Sequence, residues 1–478
     1  MAGDRTREFD VMSERSEHQL REDAIAIWRA GVDAVLGDRL VVENVRCDDG
    51  ELWIGENHYP LDSIRRVVVV GGGKAGAAMA VGLESALANL PDRIEREGWV
   101  NIPEGTKRDT SFIHLHEARP AGRNEPTPEG VAGVQAMLEL IADLGDQDLC
   151  ITLISGGGSA LMPSPIDGIS LEDKLTVTQQ LSSAGANIEQ LNTVRKSLSR
   201  IKGGGLAKAC KAQFLETLII SDVLGDPLDV IASGPTVPST TGPQDALDVL
   251  RRFDPDETRF PRRVYRALQD QLQNTNSASA SKQDCDRNDA APHVIGNLAV
   301  AVDAAGVEAE RRGYSHAMQC AIEFEGTAES VGKSHARMAW RMLTQPGPDC
   351  LITGGEPTVE LAPVEIRGRG GRNQQLVLAA LQELRKERPE APLSTRGLCM
   401  LSGGTDGEDG PTEAAGGLID PLIEQSILQQ DLDVAEAMRR NDAYTLLDQA
   451  GGLLVTGATH ANVCDLRVVV TSRRESHP

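Results

Sequence analysis

The chain has 478 residues, and 71 Asp and Glu against 48 Lys and Arg give it a formal net charge of −23. Such an acidic surface would repel a phosphate backbone, which argues against a nucleic-acid partner. No apolar run approaches the roughly 20 residues of a membrane span, and the polar segment 1–20 lacks the apolar stretch of a signal peptide. We therefore expect a cytoplasmic protein without a membrane partner, a flexible N-terminus at 1–20 and two domains.

The first elements read in chain order are a helix, short strands and then a strand–helix alternation. Glu22–Leu36 carries apolar side chains at helical spacing, while the run Val41–Val45 predicts a strand and the region around Trp53 and Tyr59 predicts short strands. From 64 to 239, apolar runs alternate with helical patterns, which predicts a parallel sheet covered by helices. The fold class expected is therefore α/β, with a larger Rossmann-like three-layer domain at 21–285.

The first glycine string follows the strand that begins at Val67 and reads Gly71-Gly72-Gly73-Lys74-Ala75-Gly76. This fits the dinucleotide pattern G-x-G-x-x-G, but no clear strand ending in an acidic residue follows about 20 residues later. A lysine inside the glycine turn favours a cation at a helix N-terminus that faces a phosphate. The alternative is a tight turn with a solvated lysine.

The second string, Ile151–Leu161, contains three glycines between two serines. The backbone N–H groups of Gly156, Gly157 and Gly158 are typical of an anion-binding nest, and we predict that they hold a nucleotide. A serine nucleophile is excluded because Leu161 stands where the elbow pattern requires glycine. Ser159 is predicted to bind a phosphate or a hydroxyl, with a plain tight turn as the alternative.

A basic segment, Leu191–Ala207, is unusual in so acidic a chain. Arg195 and Lys202 fall on one helical face, which indicates an anionic substrate, although a solvated face remains the alternative. Further on, Asp222 follows the strand that begins at Leu218, and Asp226 lies four residues later. A carboxylate at that position can orient or deprotonate a hydroxyl or hold Mg²⁺, whereas an Asx turn is an alternative for Asp226.

The segment 271–291 is rich in Ser, Asn and Asp and predicts a linker or long loop, so a second, smaller α/β domain is expected at 292–478. There the string Arg367–Asn373 precedes a helical pattern, and Arg372 with Asn373 suits phosphate or carboxylate binding. Thr405 and Asp406 lie in an acidic glycine turn that lacks the last glutamate of a calcium loop, and we predict that this turn holds the nucleotide, with a plain loop turn as the alternative. The eight cysteines stand singly, so no metal ligands are predicted from them.

The strings taken together resemble the class II glycerate 2-kinases, which combine a glycerate-kinase N-terminal domain with a C-terminal domain of the MOFRL type. The resemblance covers about 24 to 470, and its motifs occur in the family's order: GGGKAGAAM, SGGGSAL, NTVRKSLSRIKGG, SDVLGD, SGPTVPS, TGGEPTV, GRGGRNQQ, GGTDGEDGPT and NDAYT. Two segments depart from the pattern, HEARPAGRNEPTPEG (His116–Gly130) and GATHANVCD (Gly457–Asp465).

The resemblance implies transfer of a phosphoryl group from ATP, with Mg²⁺, to D-glycerate, at a site in the cleft between the two domains. By motif match, Lys74, Asp222 and Arg372 are the catalytic residues, and the 2-hydroxyl as acceptor comes from the resemblance alone. Two alternatives stay open at this point. One is an NAD(P)H-dependent hydroxypyruvate reductase, and the other is a protein that binds a phosphorylated metabolite without catalysis. The oligomeric state is open too, a homo-oligomer included.

Overall fold

The computed structural model describes residues 15–120, 125–278 and 292–472. Contacts divide the chain into two compact units. We call Val32–Ala301 with Ala458–Cys464 the N-terminal unit. We call the described parts of Met1–Gly31, Val302–Gly457 and Asp465–Pro478 the C-terminal unit. The chain is therefore an α/β protein of two units, as expected, although both units are discontinuous in sequence.

The N-terminal unit has a small antiparallel sheet and a six-stranded parallel sheet. Its strands are β1 Val45–Asp48, β2 Glu51–Ile54, β3 Asn57–Pro60, β4 Arg66–Gly72, β5 Glu95–Pro103, β6 Ile113–Arg119, β7 Asp148–Ser155, β8 Phe214–Ile220 and β9 His293–Gly296. Its helices are α2 Gly37–Asn44, α3 Gly76–Ala86, α4 Pro128–Ala142, α5 Gly158–Leu161, α6 Leu171–Ser183, α7 Ile188–Ser197, α8 Gly205–Ala209, α9 Pro243–Phe253 and α10 Arg262–Ala278.

The large sheet has the order β6-β5-β4-β7-β8-β9, and all its neighbours pair in parallel. This is the doubly wound order 3-2-1-4-5-6 of the dinucleotide-binding folds. Val67–Val70 and the whole of β7 are buried because helices cover both faces of the sheet. The chain switches sides between β4 and β7, so the crevice for a ligand is expected beyond the carboxyl ends of those two strands.

Helix α1 Glu17–Ala34 spans the division between the units. The remaining helices are α11 Leu298–Arg311, α12 Ala328–Thr344, α13 Arg372–Glu387, α14 Pro421–Gln429, α15 Val434–Arg439 and α16 Ala443–Ala450. The C-terminal sheet is built from β10 His316–Cys320, β11 Cys350–Gly355, β12 Leu398–Gly404, β13 Gly416–Ile419, β14 Leu453–Leu454 and β15 Asp465–Thr471.

This second sheet has the order β10-β11-β15-β12-β13-β14. Only β10 and β11 pair in parallel, and the other neighbours are antiparallel. Within the residues that the structure describes, no helix is both long enough and apolar enough to cross a bilayer.

Several local predictions differ from the structure. The run Val41–Val45 is mostly helical, because α2 packs so closely on α3 that a Cβ on Gly37 would lie 3.1 Å from Cγ of Met79. Tertiary packing here overrides the strand preference of valine. The strands around Trp53 and Tyr59 are confirmed as β2 and β3.

The predicted segment boundaries also shift. Helix α1 begins at Glu17 and buries Leu20 completely, so the end of the predicted flexible segment 1–20 is ordered. Helix α10 extends to Ala278 into the predicted linker 271–291, of which 279–291 lies outside the described residues. Strand β9 lies beyond the expected boundary at 285–292. It pairs with β8, and the N-terminal unit therefore extends past that boundary, to Ala301.

Candidate active site

The loops that follow β4 and β7 lie against each other at the switch point of the parallel sheet. The Lys74 N–H donates to the carbonyl of Gly156 at 2.8 Å, and the Ala75 N–H donates to Oγ of Ser155 at 3.0 Å. A Cβ on Gly73 would lie 2.0 Å from that Oγ. The first glycine string is thus explained by the close approach of these two loops.

Asp222 projects beyond the end of β8 onto the second glycine loop. A Cβ on Gly156 would lie 2.0 Å from Oδ2 of Asp222, so only glycine permits this carboxylate position. The side chain of Asn462 donates to the same oxygen at 3.1 Å, and Sγ of Cys464 donates to the Asp222 carbonyl at 3.0 Å. Asp222 is therefore held in place by a segment 240 residues away in sequence.

Lys74 and the buried Arg119 flank the next glycine. A Cβ on Gly157 would lie 3.3 Å from Cγ of Lys74 and 3.3 Å from Nη2 of Arg119, and Gly157 has a positive φ of 76°. Two cationic side chains thus border the glycine loop on which Asp222 lies, and this loop joins the strand β7 to the short helix α5.

A cavity of about 450 Å³ opens at this loop within the N-terminal unit. Its volume suits a small-molecule ligand. Its walls include a glycine, a hydroxyl, a carboxylate and three cations, which are Gly157, Ser159, Asp222, Lys174, Arg195 and Lys202. The predicted residues Ser159, Arg195, Lys202 and Asp222 are thus brought together around one cavity.

The three cations of the cavity, Lys174, Arg195 and Lys202, carry uncompensated charge. Lys202 is 8% exposed, and its Nζ donates to the carbonyl of Ser159 at 3.2 Å and to the hydroxyl of the same residue. Among the described residues, no carboxylate lies within 4.0 Å of the charged nitrogens of this trio. We call these three residues the cation trio.

The cation trio shifts the pKa values of its own members. Burial lowers the pKa of Lys202 well below its ordinary value, and the charges of Lys174 and Arg195 lower it further. Burial, followed by the charge of Arg195, lowers the pKa of Lys174 to about 7. Burial also lowers the pKa of Arg195. Binding of an anion at such a site is favourable, because the negative charge of the anion compensates the three cations.

Asp226 differs from the other predicted substrate-binding residues. It is not among the described residues that line the cavity. Its Oδ2 accepts a hydrogen bond from the Asn297 side chain at 2.6 Å, and its φ of 53° is left-handed. These contacts describe a turn position, and the substrate-binding role of Asp226 stays a prediction.

Arg372 lies in the C-terminal unit at the first residue of α13. Its Nε and Nη2 donate to the two oxygens of Asp465 at 2.6 and 3.1 Å, and its Nη1 donates to Glu356 at 2.8 Å. Burial alone would lower the pKa of Arg372, but the carboxylates of Asp465 and Glu356 raise it above its ordinary value. This cation is therefore compensated, unlike the cation trio.

The other residues predicted to bind the nucleotide, Asn373, Thr405 and Asp406, belong to the C-terminal unit. Asn373 donates to Asp409 and accepts from Ser402, while Thr405 is fully buried just after β12. Oδ1 of Asp406 accepts from the backbone N–H of Glu408 at 3.0 Å. The bond from Glu408 orders the turn after β12. That Asn373, Thr405 and Asp406 bind the nucleotide stays a prediction.

Sequence reasoning missed three residues that the structure places at the N-terminal site. Lys174 follows the acidic pair Glu172 and Asp173 in the first turn of α6. The one feature of the sequence that could have identified it is its position, because a cation is unfavourable at the positive end of a helix dipole. Arg119 ends β6, in the first segment that departs from the family pattern. Asn462, which holds Asp222, lies in the second such segment.

Comparisons with known proteins place these features in a family. Residues 23–269 match the family described as "Domain of unknown function (DUF4147)", and residues 349–465 match the MOFRL family. A D-glycerate 2-kinase from Thermotoga maritima is 33% identical, with 94% of this chain and 97% of the relative covered. A protein from Agrobacterium vitis, provisionally named hydroxypyruvate reductase, is 35% identical over 85% of this chain and 99% of its own length.

The fold is also that of a solved relative. The crystal structure of a glycerate kinase from Thermotoga maritima matches 95% of this chain and 100% of its own, with a TM-score of 0.75 and 31% identity. A match over 95% of the chain takes in residues of both units. The chain therefore belongs to the glycerate kinase family that joins a DUF4147 domain to a MOFRL domain.

Proposed function

We propose that this protein is a glycerate 2-kinase that transfers the γ-phosphoryl group of ATP to the 2-hydroxyl of D-glycerate and releases ADP. The observation that carries the proposal is the cavity beside Asp222, whose cation trio has no carboxylate partner in the part of the chain that the structure describes. The chain also belongs to the glycerate kinase family. A small hydroxy acid offers a carboxylate, which the cation trio does not have within 4.0 Å among the described residues, and a hydroxyl for Asp222.

In the proposed complex, the substrate carboxylate binds Arg195 and Lys202. Ser159 is proposed to bind the same carboxylate. Lys202 donates to its hydroxyl, and the hydroxyl of Ser233 lies 3.2 Å from it. The substrate's 2-hydroxyl then faces Asp222. The side chain of Asn462 donates to Oδ2 of this carboxylate and orients it, and Asp222 is proposed to orient the hydroxyl and accept its proton.

In the transition state, negative charge on the equatorial oxygens of the transferring phosphoryl group must be stabilised by nearby cations. Lys74 is proposed for this role because it extends along the glycine loop next to Asp222, and Arg372 is proposed from the motif match. Gly156, Gly157 and Gly158 are proposed to hold ATP phosphates, and Asn373, Thr405 and Asp406 are proposed to contact the nucleotide. Removal of one such cation is expected to lower turnover by about 10²–10³.

Magnesium is proposed to enter with ATP. No group of three or more His, Cys, Asp or Glu among the described residues could hold a metal ion. In proteins, Mg²⁺ usually binds one or two carboxylates together with substrate phosphates and water. When bound, it would neutralise charge on the ATP phosphates, and Asp222 is the carboxylate nearest the proposed phosphate loop.

The test measures ADP formation by the purified full-length protein with and without D-glycerate. ADP that appears only with glycerate, together with a ¹H–³¹P correlation that places phosphorus on C2, supports the proposal. ADP formation that is independent of glycerate, or a phosphate on C3, contradicts it.

The reductase alternative rests on the doubly wound sheet and the name of one relative. In dinucleotide folds, a pyrophosphate binds the free N–H groups at the start of the helix after the first strand. Here the N–H groups of Lys74 and Ala75 already donate to Gly156 and Ser155. We therefore expect no oxidation of NADH or NADPH by hydroxypyruvate. A phosphometabolite-binding protein without turnover would show stabilisation by ligand and no ADP.

A further inference from the structure

Lys174 is placed where stability alone would not favour a lysine. It lies in the first turn of α6, at the positive end of the helix dipole, and it shares the cavity wall with two other cations. The neighbouring Asp173 cannot compensate it, since its Oδ2 bonds Ser170 and its Oδ1 lies 2.6 Å from Nη2 of Arg263. The charge of Lys174 therefore lowers the stability of the unliganded protein.

From this placement we propose that Lys174 is a specificity-determining residue that binds the carboxylate of the acceptor and so selects hydroxy acids over neutral polyols. This inference rests on the proposed kinase function and names a residue that the family motifs did not supply. Arg195 and Lys202 approach the cavity from α7 and from the loop after it, while Lys174 approaches from α6. An acceptor carboxylate bound between these elements would receive N–H donors from separate directions.

The test compares Lys174→Met, Lys174→Arg and a matched control, Lys208→Met. Lys208 is an exposed lysine on α8 of the same unit and does not line the cavity. Because a hydrogen bond between charged groups contributes about 1.5–3 kcal/mol, Lys174→Met should raise the KM for D-glycerate about 10- to 100-fold. Its kcat should stay within about threefold, Lys174→Arg should recover most of the KM, and Lys208→Met should change neither constant.

Two further readouts separate binding from a structural role. The melting temperature of unliganded Lys174→Met should equal or exceed that of the wild type, because the substitution removes repulsion within the cation trio. D-Lactate, which carries the carboxylate and the 2-hydroxyl, should lose inhibitory strength by the same factor as glycerate. Glycerol, which has no carboxylate, should inhibit both proteins equally.

An unchanged KM for D-glycerate in Lys174→Met would overturn the proposal. So would a lower melting temperature with a fall in kcat that Lys174→Arg fails to restore, since this pattern indicates a structural role. The kinase function is judged separately by the wild type, because wild-type protein that forms no glycerate-dependent ADP contradicts that function whatever the variants do.

Discussion

The two units of this protein differ in how their buried and partly buried cations are compensated. In the N-terminal unit, Lys174, Arg195 and Lys202 face one cavity without a carboxylate partner among the described residues. In the C-terminal unit, Arg372 makes hydrogen bonds to both Asp465 and Glu356. An uncompensated cluster stores unfavourable energy that an anionic ligand can release, whereas a compensated arginine stabilises its own surroundings. The cation trio therefore indicates an anion-binding site, whereas Arg372 supports its own unit in addition to the catalytic role proposed for it.

The largest expected effect tests the chemistry at the glycine loop. Lys74→Ala should lower kcat about 10²- to 10³-fold, because it removes a cation that is proposed to act only in the transition state. Asp222→Asn should lower kcat about 10²- to 10⁴-fold through loss of the proton acceptor. Steady-state kinetics with saturating glycerate and ATP measure both effects. Turnover at the wild-type rate in either variant would remove that residue from the mechanism.

The next effect sharpens the contrast between the two kinds of cation. Arg372→Met should lower the free energy of unfolding by about 2–4 kcal/mol, because the fully buried Asp465 loses its main partner. Arg369→Met is the matched control, since both members of the Arg369–Glu413 pair are exposed and screened by solvent, so its loss should lower the free energy of unfolding far less. Urea unfolding of both variants measures the difference, and equal stabilities would contradict the assigned support.

The third effect concerns the uncompensated side of the comparison. Arg195→Met should raise the KM for D-glycerate about 10- to 100-fold while the melting temperature of the unliganded protein holds or rises. The physical reason is that this guanidinium has no carboxylate partner among residues 15–120, 125–278 and 292–472, and the substrate would supply one. Kinetics and thermal unfolding of the same preparation provide the measurement. A loss of stability like that of Arg372→Met would show that the two sites do not differ in this respect.

A smaller effect is expected from pH. The charged and titratable groups that line the cavity with Lys174 are Glu125, Arg195, Lys202 and Asp222. The pKa of Lys174 is about 7 in the folded protein and 10.5 in its ordinary state, so between these values the unfolded chain binds more protons. Lys174 therefore makes the stability of the unliganded protein rise from pH 7 to 10.5, and the contribution is lost as pH falls through 7.

The affinity for the acceptor should change with pH in the opposite direction to stability. Glycerate binds the protonated lysine, so its affinity should fall as pH rises above about 7, and binding near pH 8 should take up protons. Calorimetry in buffers of different ionisation enthalpy measures this uptake. Lys174→Arg keeps its charge at these pH values and should abolish that part of it. The same uptake in wild type and Lys174→Arg would contradict the assignment.

The smallest effect separates a turn residue from the cavity. Asp226→Ala should leave the KM for D-glycerate within about twofold and should lower the free energy of unfolding by about 1 kcal/mol, through loss of the bond to Asn297 and of a residue that tolerates positive φ. Kinetics and urea unfolding check both parts. A tenfold rise in KM would return Asp226 to the substrate site.

The amino-acid sequence by itself determined the parts of this protein that depend on local order along the chain. Apolar runs that end in glycine strings predicted the parallel sheet, and Lys74 and Asp222 could be assigned to a ligand crevice because each directly follows such a strand. Motif order was sufficient to recognise the family. These inferences hold because the carboxyl ends of parallel strands meet at one edge of the sheet.

Tertiary structure alone decided which charges are compensated. Arg372 and Asp465 are 93 residues apart, Asp222 and Asn462 are 240 apart, and no local pattern links either pair. Lys174 looked like an ordinary lysine near the start of a helix until α7 and the loop after it brought Arg195 and Lys202 to the same cavity. Burial and charge pairing arise from contacts between distant segments. The electrostatic free energy of each cation can therefore be assessed only from the tertiary structure.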